Sequence, residues 1–159
     1  METPVELGIL SLSDLQTSLD TGRKVTAAQR ISQTVEYAVL GERLGFDVFA
    51  LGEHHSHDFA VSSPAVVLAA IAARTSTIRL TSAVTVLSVL DPVRVYQDFA
   101  TVDLISSGRA EIIAGRSAFP EPFALFGERL EDYGVADVRL ARPEKRNALD
   151  GAMLPACVP

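Results

Sequence analysis

The chain has 159 residues, 48% hydrophobic and 21% charged, which is typical of one globular domain with a substantial core. Its net charge of −6 argues against general nucleic-acid binding, and no apolar run is long enough to cross a membrane. The single cysteine, Cys157, and the absence of a signal-peptide pattern predict a cytoplasmic protein without a disulfide framework.

The first half of the sequence alternates strands and helices. The predicted elements are strands at residues 5–10 and 46–51 and helices at residues 27–44 and 65–75. Thr26 with Gln29 forms a capping box for the first helix, and Gly45 stands where a glycine commonly ends one. Ser63 and Pro64 predict an N-cap and first position for the second helix.

The second half continues the alternation. The predicted elements are strands at residues 78–86 and 110–114 and a helix at residues 93–105 after Asp91 and Pro92. The later units repeat after about 32 residues, the size of a βα unit. No glycine-rich nucleotide-binding motif follows any strand. The pattern therefore predicts four parallel strands in chain order, as in a (β/α) barrel.

A polar loop follows the second strand, whose apolar run ends at Leu51. It contains all three histidines of the chain, and its titratable residues are Glu53, His54, His55, His57 and Asp58. Loops at the carboxyl ends of parallel strands commonly carry the chemistry of α/β proteins. Because imidazole titrates near neutral pH, this loop suits proton transfer or metal ligation.

Several segments together resemble the luciferase-like monooxygenases, a flavin-dependent family with a (β/α)8 TIM barrel that includes bacterial luciferase. The matching segments are residues 45–47, 52–55, 63–65, 78–87, 91–94, 107–116 and 126–127. The ordered set covers roughly residues 5–133. The resemblance implies an α/β fold, specifically the N-terminal half of a TIM barrel with four parallel strands and covering helices.

The resemblance also implies roles for individual residues. It assigns an acid–base or flavin-orienting catalytic role to His54. The cofactor-binding residues that it implies are Glu53, Ser82, Ala83, Val84, Gly115 and Arg116. The backbone at residues 82–84 is expected beside the flavin, commonly through a non-proline cis peptide.

The implied function is oxidation of a small organic substrate with reduced FMN and oxygen. Hydride transfer with FMN or F420 is an alternative within the same family. A separate flavin reductase is a possible partner, and we expect neither nucleic-acid nor membrane partners. We also expect a homo-oligomer, because half a barrel leaves sheet edges and an apolar sheet face uncovered.

The chain departs from the family pattern after residue 134. The stretch 135–149 resembles the opening strand and turn of the crotonase (enoyl-CoA hydratase) family. We therefore predict a partial barrel domain at residues 1–134 and a crotonase-like fragment or tail at 135–159, with a strand at 135–140. Ser117 also replaces a glycine that relatives usually have. Since only four of eight strands are present, a truncated, non-catalytic half-barrel remains an alternative.

A metal-dependent hydrolase is a further alternative, because His55 and His57 form a His-x-His pair at a strand end. Against it, the chain has no histidine outside this loop. The sequence also predicts three spatial relationships. His54, Ser82 and Gly115 should share one face, Glu53 should pair with Arg116, and His55 should turn away from His54.

Overall fold

The computed structural model describes residues 5–117 and 119–129, where four strands alternate with four α-helices. The strands are β1 (Gly8–Ser11), β2 (Val48–Leu51), β3 (Arg79–Val86) and β4 (Ala110–Gly115). The helices are α1 (Ala27–Arg43), α2 (Pro64–Ala72), α3 (Pro92–Ser106) and α4 (Glu121–Phe126), and a short 3-10 turn spans Leu87–Val89.

The four strands form one parallel sheet in the order β1-β2-β3-β4. Phe49 pairs with Ile9 on one side and with Leu80 on the other, and Leu80 pairs with Ala110. The predicted α/β class with four parallel strands in chain order is confirmed. A doubly wound sheet would instead reverse its strand order at a switch point.

The helices cover one face of the sheet. Side chains of β2 and β3 such as Phe49, Leu51 and Leu80 are buried there against Leu68 of α2 and Phe99 of α3. Residues of the opposite alternation point the other way. On that face Leu10 and Ile113 are 57% and 48% exposed, so the surface corresponding to a barrel interior is open.

Of the three helix N-caps predicted from the sequence, two make the expected side-chain hydrogen bond. The N–H of Gln29 donates to Oγ1 of Thr26 at 3.2 Å and the N–H of Thr26 donates to Oε1 of Gln29 at 3.1 Å, so the capping box is confirmed. Asp91 accepts the N–H of Arg94 at 2.8 Å. Ser63 holds the N-cap position of α2, but its side chain makes no capping hydrogen bond.

Other boundaries differ from the predictions. The first strand begins at Gly8 rather than Val5, and α4 was not anticipated because its six residues are too few to show a clear helical repeat. The predicted strand at 135–140 and the boundary at 134 lie outside the described residues. Within the described part, no helix is long and apolar enough to cross a membrane.

Candidate active site

The loop after β2 is anchored to the segment that follows β1. The N–H of Gly52 donates to the carbonyl of Ser11 at 2.9 Å, and the N–H of Ala60 donates to the carbonyl of Ser13 at 2.9 Å. Inside the loop, the N–H of His54 donates to the carbonyl of Val61 at 3.0 Å. These hydrogen bonds fix the backbone of the loop and so the positions from which its polar side chains extend.

Glu53 is buried at the edge of the sheet, with 6% of the residue exposed. Its Oε1 lies 2.7 Å from Nε2 of His55, and its Oε2 accepts the N–H of Val86 at 3.1 Å. Burial raises the pKa of this carboxyl group, while the hydrogen bonds from His55 and Val86 oppose the rise. The predicted pairing of Glu53 with Arg116 is wrong, because the carboxylate turns toward the end of β3 instead.

His54 is partly buried against aromatic side chains. Its ring stacks on Phe59 with centroids 3.9 Å apart and an interplanar angle of 18°, and the centroid of Phe119 lies 6.0 Å away. Burial, and after it the charge of His55, lowers the pKa of His54. The imidazole is therefore held toward its neutral form, which can accept a proton at one nitrogen and donate at the other.

The other two histidines lie in different environments. The His55 ring meets Glu53 and contacts Phe126 edge-on, with centroids 5.0 Å apart, whereas His54 contacts Phe59 and Phe119. The His57 side chain is 90% exposed. The predicted separation of His54 from His55 thus matches the structure, and the His-x-His pair is split. No group of three potential metal ligands occurs among residues 5–117 and 119–129.

The ends of β3 and β4 pack closely. The peptide bond between Ala83 and Val84 is cis, as the resemblance implied. A β-carbon added to Gly115 would lie 2.7 Å from Cγ2 of Val84, so β4 approaches β3 here as only a glycine permits. Ala83, Val84 and Gly115 are half-buried, and Arg116 is exposed at the end of β4.

Ser82 does not share this accessible edge. It is fully buried and pairs with Leu51 and Ile112, and its Oγ accepts a hydrogen bond from Oγ1 of Thr85 at 2.7 Å. Ser82 lies two residues from Leu80, a helix-facing core residue, and therefore points to the helix layer. The prediction that it shares a face with His54 and Gly115 is wrong.

Two contacts bring the remaining predicted residues into one neighbourhood. Glu53, next to His54 in sequence, bonds to Val86, and Val86 pairs with Gly115. Phe119, which follows β4, lies beside the His54 ring. Sequence reasoning missed the aromatic residues Phe59, Phe119 and Phe126. Phe59 closes the polar loop and Phe126 belongs to the last segment that matches the family, so these two carried a signal.

A family comparison covers most of the chain. The sequence profile described as luciferase-like monooxygenase matches residues 5–142. This match continues past residue 134, where the predicted tail begins. The structure does not describe residues 135–159, and the assignment of a crotonase-like fragment there stays a prediction.

Three curated proteins of similar sequence include two monooxygenases. The uncharacterised protein y4vJ of Sinorhizobium fredii is 34% identical, over 70% of this chain and 32% of its own length. The N-acetyl-S-alkylcysteine monooxygenase of Bacillus subtilis is 30% identical, over 78% of this chain and 41% of its own. The oxygenase component of the flavin-dependent trigonelline monooxygenase of Acinetobacter baylyi is 28% identical, over 59% of this chain and 26% of its own. The chain thus spans between 26% and 41% of the length of these relatives.

Solved structures share the fold. The monooxygenase RslO1 of Streptomyces bottropensis superposes with a TM-score of 0.71 at 27% identity, over 81% of this chain and 38% of that one. The FMN complex of the oxygenating constituent of 3,6-diketocamphane monooxygenase from Pseudomonas putida gives a TM-score of 0.69 at 23% identity, over 79% of this chain and 33% of that one. At that identity the second likeness shows the fold alone.

Proposed function

Because the chain belongs to the luciferase-like monooxygenase family, we propose that it forms part of a flavin-dependent monooxygenase that oxidises a small organic substrate with reduced FMN and oxygen. The relatives are much longer than this chain. The residues at the ends of β2, β3 and β4 would therefore form one part of the active site.

One observation carries the proposal: a half-buried histidine held toward its neutral form stands beside the tightly packed ends of β3 and β4. The Glu53–Val86 hydrogen bond and the position of Phe119 bring His54 to this edge. General acid–base catalysis needs a group that can take up and release a proton, and a neutral imidazole can accept at one ring nitrogen and donate at the other. His54 is thus the proposed proton acceptor and donor.

The residues at this edge fit a flat ring system. Ala83, Val84 and Gly115 offer half-buried apolar surface. Exposed Arg116 adds a cation, suited to the anionic part of a flavin nucleotide. Glu53 and Ser82 are left out of the cofactor contacts, because both are buried and bonded within the protein. A bound reduced flavin would supply the electrons that activate oxygen.

A separate reductase is the proposed source of the reduced flavin. The trigonelline relative is described as an oxygenase component, which supports a two-component arrangement. F420 in place of FMN is the alternative cofactor, with hydride transfer as its reaction. The metal-dependent hydrolase is not proposed, because Glu53 holds the His55 ring and His57 projects into solvent.

The test is anaerobic titration of the purified chain with reduced FMN, oxidised FMN and F420, with binding measured by isothermal titration calorimetry. We expect reduced FMN to bind more tightly than F420. Arg116→Ala should weaken binding, and Arg43→Ala, which removes an exposed cation from the end of α1, should not. Tighter binding of F420 would identify F420, and not FMN, as the cofactor. Absence of binding to all three would favour the non-catalytic half-barrel.

The role of His54 is tested in the same chain with bound reduced FMN. Oxygen consumption with a thioether or aldehyde substrate is measured for His54→Ala and for His57→Ala. General acid–base assistance is worth about 10²–10⁴-fold. We expect a loss of this order in His54→Ala alone, since the His57 side chain lies in solvent. Equal losses in the two variants would exclude the role assigned to His54.

A further inference from the structure

Both carboxylate oxygens of Glu53 are used inside the protein. One meets Nε2 of His55 at 2.7 Å and the other accepts the N–H of Val86 at 3.1 Å. Glu53 lies in the loop after β2, whereas Val86 is the last residue of β3. The side chain therefore joins two neighbouring strand ends and, with 1% of it exposed, is closed off from a cofactor.

The His55 ring is held from two sides. Its Nε2 meets Glu53, and the edge of its ring contacts Phe126 of α4, with centroids 5.0 Å apart and the rings at 87°. Its side chain is 5% exposed. His55 is thus enclosed by the protein on the side of the loop that meets β3 and α4.

His54 sits on a different side. Its backbone N–H is bonded to Val61, and its ring stacks on Phe59. Glu53 and His55 meet on one side of the loop, so holding this pair together fixes the position of His54, which lies between them in sequence. The two rings share no aromatic partner among the described contacts.

A buried ionisable pair such as Glu53 and His55 is not needed merely to fill the protein interior. Removing a carboxyl group from water costs free energy, and well-packed apolar residues in its place are often neutral or stabilising. Hydrogen bonds depend on direction as well as distance. The bonds of Glu53 to His55 and to Val86 therefore constrain where the loop meets β3. Two apolar side chains of similar volume would fill the same space without that constraint.

We propose that Glu53 and His55 are positioning residues: by bonding to each other and to Val86 they hold the loop so that His54 is presented on Phe59, and neither contacts cofactor or substrate. The inference rests on the proposed role of His54. The predicted position of the His54 ring does not depend on flavin and can be measured in the chain without any cofactor.

The experiment records ¹H–¹³C spectra of the histidine rings in the full 159-residue chain, with His54→Gln identifying the His54 signal. A ring proton above an aromatic face is shifted upfield, so stacking on Phe59 gives His54 a signature that exposed His57 lacks. We expect Glu53→Leu and His55→Phe each to move the His54 signal toward that of His57. Glu53→Gln should keep the signature, because an amide can still accept from Val86 and donate to His55.

The matched control is Glu36→Leu on α1, which removes an exposed carboxylate that pairs with Arg74. It should leave the His54 signal unchanged. Thermal melts of every variant separate repositioning from loss of fold, and if Glu53→Leu does not fold, His55→Phe decides the question. An unchanged His54 signal in the folded variants would overturn the proposal, as would equal displacement in Glu53→Gln and Glu53→Leu. Failure of flavin to bind would affect the proposed function and leave this result intact.

Discussion

Gly115 and Val84 pack so closely that a β-carbon on Gly115 would lie 2.7 Å from Cγ2, 2.9 Å from Cβ and 3.0 Å from Cγ1 of Val84. The crowding involves the branched Cβ itself, which cannot rotate away. The contact joins β4 to β3 at the edge where the cofactor is proposed to bind.

Gly115→Ala should therefore overpack this edge. Overpacking a well-filled site costs about 1–3 kcal/mol of the free energy of unfolding, measured by urea denaturation. In a Val84→Ala background the same change should cost less, because two of the three crowding atoms are gone. Equal costs in both backgrounds would show that Val84 is not the residue that resists the new methyl group.

Arg109 is expected to be essential for stability rather than for binding. Its guanidinium donates to the carbonyls of Ala72, Thr75, Ile78 and Ser106 and to Oγ1 of Thr75, over distances of 2.7–3.2 Å. Lysine offers a single nitrogen and cannot reproduce this fork. Arg109→Lys should lower the free energy of unfolding by about 2–4 kcal/mol, since several buried carbonyls lose their donors.

The control for Arg109 is Arg74→Lys, which alters an exposed ion pair with Glu36. Exposed pairs contribute about 0–1 kcal/mol, so this variant should melt close to the parent chain. A similar loss of stability in both variants would mean that the hydrogen bonds of Arg109 contribute little.

Glu42 ties the end of α1 to the segment before β3. Its carboxylate accepts the N–H groups of Ser76, Thr77 and Ile78. Burial on its own raises the pKa of Glu42, but these backbone bonds outweigh it and lower the pKa to about 2. The folded pKa lies below the unfolded value of 4.5, so the contribution to stability is present above about pH 4.5 and is lost as the pH falls toward about 2.

Glu42→Gln should destabilise the chain by about 1–2 kcal/mol near neutral pH, because Gln offers one neutral acceptor. The difference in unfolding free energy between variant and parent should shrink as the pH falls below about 4.5. Urea melts at several pH values measure it, with Glu36→Gln as the exposed control. A difference that stays constant down to acid pH would contradict the assignment.

His54 should titrate below 6.5, because burial and the charge of His55 both disfavour its protonated form. The unfolded chain then binds the proton first as the pH falls, so unfolding becomes easier below about pH 6.5. NMR titration of the ring gives the pKa directly. Phe59→Ala should raise it by exposing the ring, and a pKa that Phe59→Ala leaves unchanged would contradict burial as the cause.

Self-association is expected through the groove between β1 and α1. Its wall includes Leu10, Tyr37, Leu40 and Leu44, which are between 45% and 67% exposed. Apolar patches of this kind favour association. Sedimentation velocity should show dimers or larger species, and Leu40→Glu with Leu44→Glu should reduce them. Leu19→Glu, at a fully exposed position outside the groove, should have no effect.

Local sequence signals were sufficient to predict the four strands, three of the four α-helices and the strand order. The capping box at Thr26 and the Asp91–Pro92 start act within one helical turn, so their outcome depends on neighbouring residues alone. Apolar runs separated by one helix each predict parallel strands joined by crossovers, and the carboxyl ends of such strands necessarily meet at one edge. That is why the sequence correctly predicted the position of the loop containing His54.

The pairing of the polar side chains was decided by tertiary structure. Arg116 and His55 were both available to Glu53 by sequence, and in the folded chain its two oxygens meet His55 and the N–H of Val86. Whether Ser82 faces helices or solvent depends on the register of β3, and a shift of one residue would reverse it. Hydrogen-bond partners, burial and pKa depend on which atoms meet in space, and that is determined only when the strands and helices pack.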